Sequence, residues 1–128
     1  VLNINNWHKS RKYDVISCLN LLDRCDRPLL LLNQIKEALQ PKGVALVAIV
    51  LPFLPYVEVG PSDHKPTELL PIRGQTFERQ VDSLIHDVFI PSGFQVIRWT
   101  RVPYLCEGDL RQSYYWLDDA VFLIESVE

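Results

Sequence analysis

Two side chains that could bind a ligand come immediately after a short apolar run at residues 13–19. Asn20 is the first residue past this run, and Asp23 follows three residues later. An amide can accept a hydrogen bond from an ammonium group and can donate one to a carboxylate or a ring nitrogen, whereas an ionised carboxylate only accepts. If the chain makes a helical turn here, both side chains face the same crevice. The plainer alternatives are an asparagine that bonds its own backbone and an aspartate that pairs with Arg24 or Arg27.

Paired acidic residues occur twice near the carboxyl terminus, and they raise the question of a metal site. The pairs are Glu107 with Asp109 and Asp118 with Asp119. Acidic residues that lie together in a loop are usually solvated or cap a turn, and a hard cation needs more oxygen ligands than either pair supplies. We therefore predict no metal site.

The number and spacing of the three cysteines fit neither a disulfide framework nor a zinc site. Cys18, Cys25 and Cys106 are odd in number and form no Cys-x-x-Cys pair,. No histidine lies near Cys106 in the sequence, so a nucleophilic role is not indicated. We interpret all three as reduced, mostly buried thiols, which favours an intracellular location.

Charge and hydropathy exclude two classes of partner. The net charge is −3 and Lys and Arg form no cluster, so nucleic acid is not an expected partner. The longest apolar run, Val44 to Phe53, is far shorter than the about 20 residues that cross a bilayer, so we predict no membrane-spanning segment. The chain contains 0 methionines and begins at Val1. We expect residues 1–128 to be the carboxyl-terminal half of a larger domain.

Strand-like and helix-like segments alternate in the first half of the chain, as in βαβ units. Residues 13–19 and Val44 to Val50 are nearly continuous apolar runs, typical of parallel strands covered by helices on both faces. Between them, Pro28 suits the first turn of a helix and Pro41-Lys42-Gly43 ends it. The apolar stripe of this helix comprises Leu29, Leu32, Ile35 and Leu39.

The second half predicts a flap, one more helix and two further strands. Residues 52–71 are rich in proline, and a loop of this length is usually functional. A helix is expected over 76–89, with Phe77, Val81, Leu84 and Val88 on one face. Strands are expected at 94–100 and 120–125, with an elaborated site loop at 101–119 joining them as an antiparallel return. The fold class is thus α/β, one half of a doubly wound sheet. Because ligands bind beyond the carboxyl ends of its parallel strands, the flap, the site loop and residues 20–26 should surround one crevice.

Several longer segments of the sequence resemble those of a known protein family. Residues 13–28 resemble the fourth strand and following loop of class I (Rossmann-like) S-adenosylmethionine-dependent methyltransferases, and an antiparallel final strand is the signature of that fold. Four segments are more specifically similar to the DREV family, and together they extend over nearly the whole chain. They are Cys-Leu-Asn-Leu-Leu-Asp-Arg-Cys-Asp (18–26), Leu-Pro-Phe-Leu-Pro-Tyr-Val-Glu (51–58), Pro-Tyr-Leu-Cys-Glu-Gly-Asp (103–109) and Tyr-Tyr-x-Leu-Asp-Asp-Ala-Val-Phe (114–122).

The resemblance implies a protein-histidine methyltransferase with S-adenosylmethionine as cofactor. Its acceptor would be the ring nitrogen nearer the backbone (the pros position) in His-x-His sequences of proteins or peptides. It places Asn20 and Tyr104 at the cofactor and Tyr115 at the acceptor ring. The alternative for Tyr104 is a core tyrosine whose hydroxyl is satisfied. The resemblance leaves the endoplasmic reticulum and mitochondria open as compartments.

For such an acceptor, Asp23 is the catalytic residue we favour, with Asn20 and Tyr115 beside it. A carboxylate that accepts the distal N–H of a neutral imidazole fixes the tautomer whose near nitrogen carries a free lone pair. The same carboxylate stabilises the cation that forms when this nitrogen attacks a sulfonium methyl group.

Two other functions remain open at this point. A chain without the cofactor loop of the fold could serve as a non-catalytic interaction fragment, and a class I methyltransferase could act on a different acceptor. Since adenosine recognition belongs to the first strands of the fold, we expect residues 1–128 alone to be inactive.

Overall fold

The computed structural model describes residues 6–57 and 63–127. Its elements are α1 (Trp7–Ser10), β1 (Tyr13–Leu19), α2 (Pro28–Ala38), β2 (Leu39–Leu51), α3 (Phe77–Ser83) with a π-helical continuation (Leu84–Phe89), β3 (Phe94–Glu107) and β4 (Tyr114–Ser126). The strands form one sheet in the order β1-β2-β4-β3. β1 and β2 are parallel, whereas β4 is antiparallel to both of its neighbours. The predicted α/β class with an antiparallel final strand is confirmed.

The helices pack on one face of this sheet. Because successive residues of a strand point to opposite faces, alternate positions of β2 and β4 are fully buried, among them Val47, Ile49 and Phe122. They form one core with apolar residues of α2 and α3 such as Leu32 and Val81. The ring centroids of Phe89 and Phe122 lie 5.0 Å apart in an edge-to-face contact within this core.

The opposite face, which we call the open face, is less covered. The apolar run of β1 predicted that both faces of this strand are buried. This prediction is wrong for the described residues, since Val15 is 63% and Leu19 56% exposed. Both residues are on the same side of the sheet as their register partners Val44 and Ala48, and α2 and α3 pack on the other side.

The two predicted helices form with small changes. α2 begins at Pro28 as expected, but it ends at Ala38 and the chain is already extended from Leu39. Leu29, assigned to the buried stripe, is 37% exposed. The helix predicted over 76–89 starts at the cap residue Thr76, whose side chain accepts from the Arg79 N–H at 3.2 Å, and it changes to π-helical geometry at Leu84.

The segment 101–119 is not an elaborated loop. β3 continues to Glu107 and β4 begins at Tyr114, so only residues 108–113 form the turn of a long antiparallel hairpin. Pro103 lies within the observed β3. β3 is an edge strand, and proline is tolerated at a sheet edge because its missing N–H faces away from the ladder,.

Candidate functional site

Asn20 is positioned by the end of the parallel strand pair. Its backbone N–H donates to the Ala48 carbonyl oxygen at 2.8 Å, which continues the ladder between β1 and β2 by one residue. Its φ of 55° lies in the left-handed region, where asparagine is tolerated better than most residues,. The chain therefore leaves the sheet at Asn20, and this residue is held beside the carboxyl end of β2.

The chain makes a turn after Asn20, and this turn buries Asp23. The Arg24 N–H donates to the Leu21 carbonyl oxygen at 2.9 Å, and Leu22 anchors the turn with 1% exposure. The Asp23 side chain is 6% exposed, and its Oδ1 has no hydrogen-bond partner among the residues described. Burial raises the pKa of this carboxyl group, and the nearby Arg24 charge lowers it only in part.

The plainer interpretation of Asp23 as a partner of Arg24 or Arg27 is not what the structure shows. Within residues 6–57 and 63–127, Asp23 forms no ion pair with either arginine. A buried carboxylate without a counter-charge is costly to retain. Such a group is more typical of a ligand-binding position than of a solvated loop.

Asp119 is a site residue that the sequence analysis missed. It was grouped with Asp118 as a solvated acid, but the two point to opposite faces of β4. Asp118 forms an ion pair with Arg101 at 2.7 Å. Asp119 is 7% exposed, and its Oδ1 has no partner within the described part of the chain. The alternation of Asp119 with Leu117 and Val121 was the available signal, since it places Asp119 between apolar neighbours on one face of the strand,.

Asp119 lies next to both earlier candidates. It is opposite Val50 at the carboxyl end of β2, two residues beyond the Ala48 carbonyl that binds Asn20. Burial raises the pKa of the Asp119 carboxyl group; a hydrogen bond from the Asn20 amide lowers it, and the charge of Asp23 raises it further. Asn20, Asp23 and Asp119 thus form one strand-end cluster.

The strand-end cluster contains hydrogen-bond acceptors that have no donor among the described residues. Oδ1 of each of its three residues is buried and has no protein partner among the described residues. Leaving one such group unsatisfied costs roughly 1–3 kcal/mol, so natural structures rarely retain several together without a ligand or water. A cationic or N–H-bearing ligand is the chemistry that fits.

Tyr104 faces this cluster from β3. It pairs with Leu117 of β4 and therefore points to the same side of the sheet as Asp119, two residues along,. Burial is the main factor that raises the pKa of its phenol; the neighbouring Cys106 and then the charge of Asp119 add to this, and the charge of Arg24 opposes it. The structure thus places Tyr104 on the same side of the sheet as the cluster, and its contact with the cofactor stays a prediction.

Tyr115 is not brought into contact with the cluster. It lies four residues from Asp119 on the same face of β4, which corresponds to about 13 Å along a strand. Its hydroxyl lies 2.9 and 3.0 Å from the two carboxylate oxygens of Asp109, to which it donates. This bond raises the pKa of Tyr115 and lowers that of Asp109. The role of Tyr115 at an acceptor ring stays a prediction.

The flap is tied to the loop that carries Asp23. The Tyr56 N–H donates to the Asp23 carbonyl oxygen at 2.8 Å. Farther along, Thr67 donates its N–H and its hydroxyl to the Asp26 carboxylate at 2.7–2.8 Å. The Tyr56 ring stacks on His64 with centroids 4.6 Å apart. Residues 58–62 of the predicted flap lie outside the described residues.

The remaining chemistry-bearing groups form no second centre in the described ranges. No group of three or more His, Cys, Asp or Glu side chains there could hold a metal ion. Burial raises the pKa of Cys18 to about 12 and that of Cys25 to about 11, so both thiols are protonated at neutral pH. No helix among the described residues is long and apolar enough to cross a membrane.

One apolar cavity lies apart from the cluster. It has a volume of about 350 Å³ and opens beside the free edge of β1, where Trp7, Val15 and Leu21 line it. None of Asn20, Asp23 and Asp119 lines this cavity. We assign the functional site to the cluster, where the polar groups converge.

A parallel strand pair with a polar strand-end cluster and an antiparallel final strand is the arrangement expected of the carboxyl-terminal half of a class I methyltransferase. The sequence model of the DREV methyltransferase family matches residues 1–126, and the chain belongs to that family. Among solved structures, the chain is similar to one described as "a putative methyltransferase from Thermoplasma acidophilum", with 11% identity and a TM-score of 0.48. That match covers 94% of this chain and 41% of the other, so the chain spans less than half the length of that protein.

Proposed function

We propose that the protein transfers a methyl group from S-adenosylmethionine to the pros nitrogen of a histidine ring in His-x-His sequences of other proteins. Membership of the DREV methyltransferase family supports methyl transfer. The single observation that supports an imidazole acceptor is Asp23, whose buried Oδ1 has no protein partner in the described ranges. An imidazole offers the N–H donor that this oxygen lacks.

The residues of the crevice fit the proposed cofactor. S-adenosylmethionine supplies a methyl group on a positively charged sulfur and carries an ammonium group. The unpartnered oxygen of Asn20 suits that ammonium, and Tyr104 faces the same crevice from β3. Buried acceptors that form no ion pair among the described residues favour a cationic ligand of this kind,.

Asp23 would act on the acceptor ring in two ways. By accepting the distal N–H, its carboxylate holds the neutral imidazole in the tautomer whose pros nitrogen has a free lone pair. When that nitrogen gains the methyl group, the ring becomes cationic, and the buried carboxylate stabilises the new charge at short range. The ring then loses its distal proton to solvent and is neutral again.

The flap would bind the acceptor protein. Tyr56 is 41% exposed and its backbone is bonded to Asp23, which supports a role for its ring in contact with the acceptor. The Arg24 guanidinium lies 5.8 Å from the centroid of the same ring. An exposed aromatic ring beside the catalytic loop suits contact with a peptide.

The proposal is tested by assaying the full-length protein with a labelled methyl donor. The acceptors are a peptide with one His-x-His sequence and two matched peptides in which either histidine is alanine. We expect label on the parent peptide, located by mass spectrometry and NMR on the pros nitrogen. Label on lysine, arginine or a terminus instead would support a methyltransferase with another acceptor. Cofactor binding without any methyl transfer to peptide or protein would contradict the proposed activity.

A further inference from the structure

Asp119 is a buried carboxylate that the proposed reaction does not use. It stands on the face of β4 that carries Val121 and Leu123, and it is 7% exposed. Through β2 it lies beside the position where the Ala48 carbonyl binds Asn20. A purely structural role at this position would be met better by an apolar residue of similar volume, because burying an unpaired carboxylate is unfavourable.

The neighbourhood of Asp119 decides which end of the Asn20 amide faces the crevice. An amide has a donor end and an acceptor end. If Oδ1 of Asn20 pointed at Asp119, two oxygens would repel each other beside a second acid, Asp23. The donor end therefore points at Asp119, and the lowering effect of Asn20 on the pKa of this carboxyl group agrees with that orientation. The acceptor end, Oδ1, is then the buried atom that no described residue satisfies.

We propose that Asp119 is a positioning residue: it accepts a hydrogen bond from the Asn20 amide and so turns Oδ1 of Asn20 toward the ammonium group of the cofactor. The inference rests on the S-adenosylmethionine dependence in the proposed function, but not on the identity of the methyl acceptor. The sequence leaves open whether the Asn20 amide accepts from a cation or donates to a carboxylate of the ligand. In the arrangement proposed here it accepts from the cation.

A double-mutant cycle on cofactor affinity in the full-length protein tests this role. The variants are Asn20→Ala, Asp119→Asn and the two combined, and calorimetry gives the Kd for S-adenosylmethionine. Asp119→Asn keeps the size of the side chain, but it leaves two amides that can pair in either orientation. We expect each single substitution to raise the Kd roughly 10-fold, in line with the loss of an oriented bond to a charged group. The double variant should bind as well as Asn20→Ala alone, because Asp119 acts through Asn20.

Asp118→Asn is the matched control, since its side chain lies on the opposite face and pairs with Arg101. It should leave the Kd unchanged. If the Kd of the double variant rises by the product of the two single-variant factors, Asp119 acts independently of Asn20 and the proposal is overturned. A wild-type protein that does not bind S-adenosylmethionine overturns it as well. A wild-type protein that binds the cofactor but methylates no histidine overturns only the proposed acceptor.

Discussion

The backbone N–H of Tyr56 donates to the carbonyl oxygen of Asp23 at 2.8 Å, which joins the flap directly to the turn that carries the proposed catalytic carboxylate. The side chains of the two residues differ in exposure: Tyr56 is 41% exposed and Asp23 is 6% exposed. The flap can therefore present one surface to an acceptor protein while its backbone supports the buried site. This division predicts separable effects on substrate binding and on catalysis.

Replacing Tyr56 with alanine should raise the KM for the acceptor peptide several-fold and leave the Kd of the cofactor nearly unchanged. The ring is proposed to contact the acceptor, and its removal costs ground-state binding. Steady-state kinetics with calorimetry on the same preparation measures both quantities. Equal losses of peptide and cofactor affinity would count against this role.

Phe53→Ala is the contrasting flap variant, because Phe53 packs against the hydrophobic core. We expect it to lower the Tm more than Tyr56→Ala does, since removing part of a packed aromatic ring leaves a cavity. Scanning calorimetry measures the difference. A larger Tm loss in Tyr56→Ala would reverse the assignment of the two aromatic residues.

Glu68 of the flap should stabilise α2 from outside the helix. Its Oε1 accepts from the N–H groups of Leu29 and Leu30 at 3.1 and 3.3 Å, whereas the residue preceding the helix, Arg27, provides no side-chain cap. Glu68→Ala removes this acceptor and should lower the free energy of unfolding by about 1 kcal/mol, as for loss of a helix cap. Urea unfolding measures it; no change would mean that water replaces the carboxylate without cost.

Asp23 and Asp119, whose pKa values burial raises, should each contribute less to the free energy of unfolding as the pH rises. Burial raises the folded-state pKa of Asp23 and Asp119 above their ordinary value. Protonation therefore favours the folded state, and this contribution is fully present below about pH 4 and is lost as the pH rises through the raised values. Asp119→Asn should accordingly raise the Tm at pH 7.5, and the gain should shrink toward pH 4.

Asp26→Asn is the control variant, in which we expect the Tm to change in the opposite direction. Hydrogen bonds from Thr67 lower the pKa of Asp26, so its ionised form stabilises the fold above the ordinary pKa and this stabilisation is lost in acid. This variant should lower the Tm at pH 7.5. If the Tm at pH 7.5 changed in the same direction in Asp119→Asn and Asp26→Asn, the opposite pKa shifts assigned to the two carboxylates would be refuted.

Much of the fold could be predicted because local pattern and tertiary structure agree. β1 has the predicted limits, Tyr13–Leu19, and Val81, Leu84 and Val88 are buried on one helix face as expected. The long hairpin could not be predicted in the same way. Pro103 and the neighbouring acids favour a loop locally, and only the position of β3 at the sheet edge makes this proline compatible with a strand.

The site was predictable only in part. Asn20 and Asp23 follow a strand end, a place where ligands bind in such sheets. Asp119 is far from them in sequence, and an acid that is buried looks the same in sequence as one that is solvated. Register with β2 is what brings it to Asn20. Tyr115, predicted for the site from its motif, is bonded to Asp109 in the hairpin, and its role at the acceptor ring stays a prediction.

The most direct test of the central proposal is the turnover of Asp23→Asn in the full-length protein on a His-x-His peptide. Asparagine keeps the size of the side chain and removes the charge that would stabilise the methylated ring. With Asp118→Asn as a control, whose side chain pairs with Arg101 on the opposite face of β4, kcat and the cofactor Kd are measured on matched preparations. We predict that Asp23→Asn lowers kcat by roughly 10²-fold or more and leaves the cofactor Kd nearly unchanged. Wild-type turnover by Asp23→Asn would contradict a catalytic role for this carboxylate.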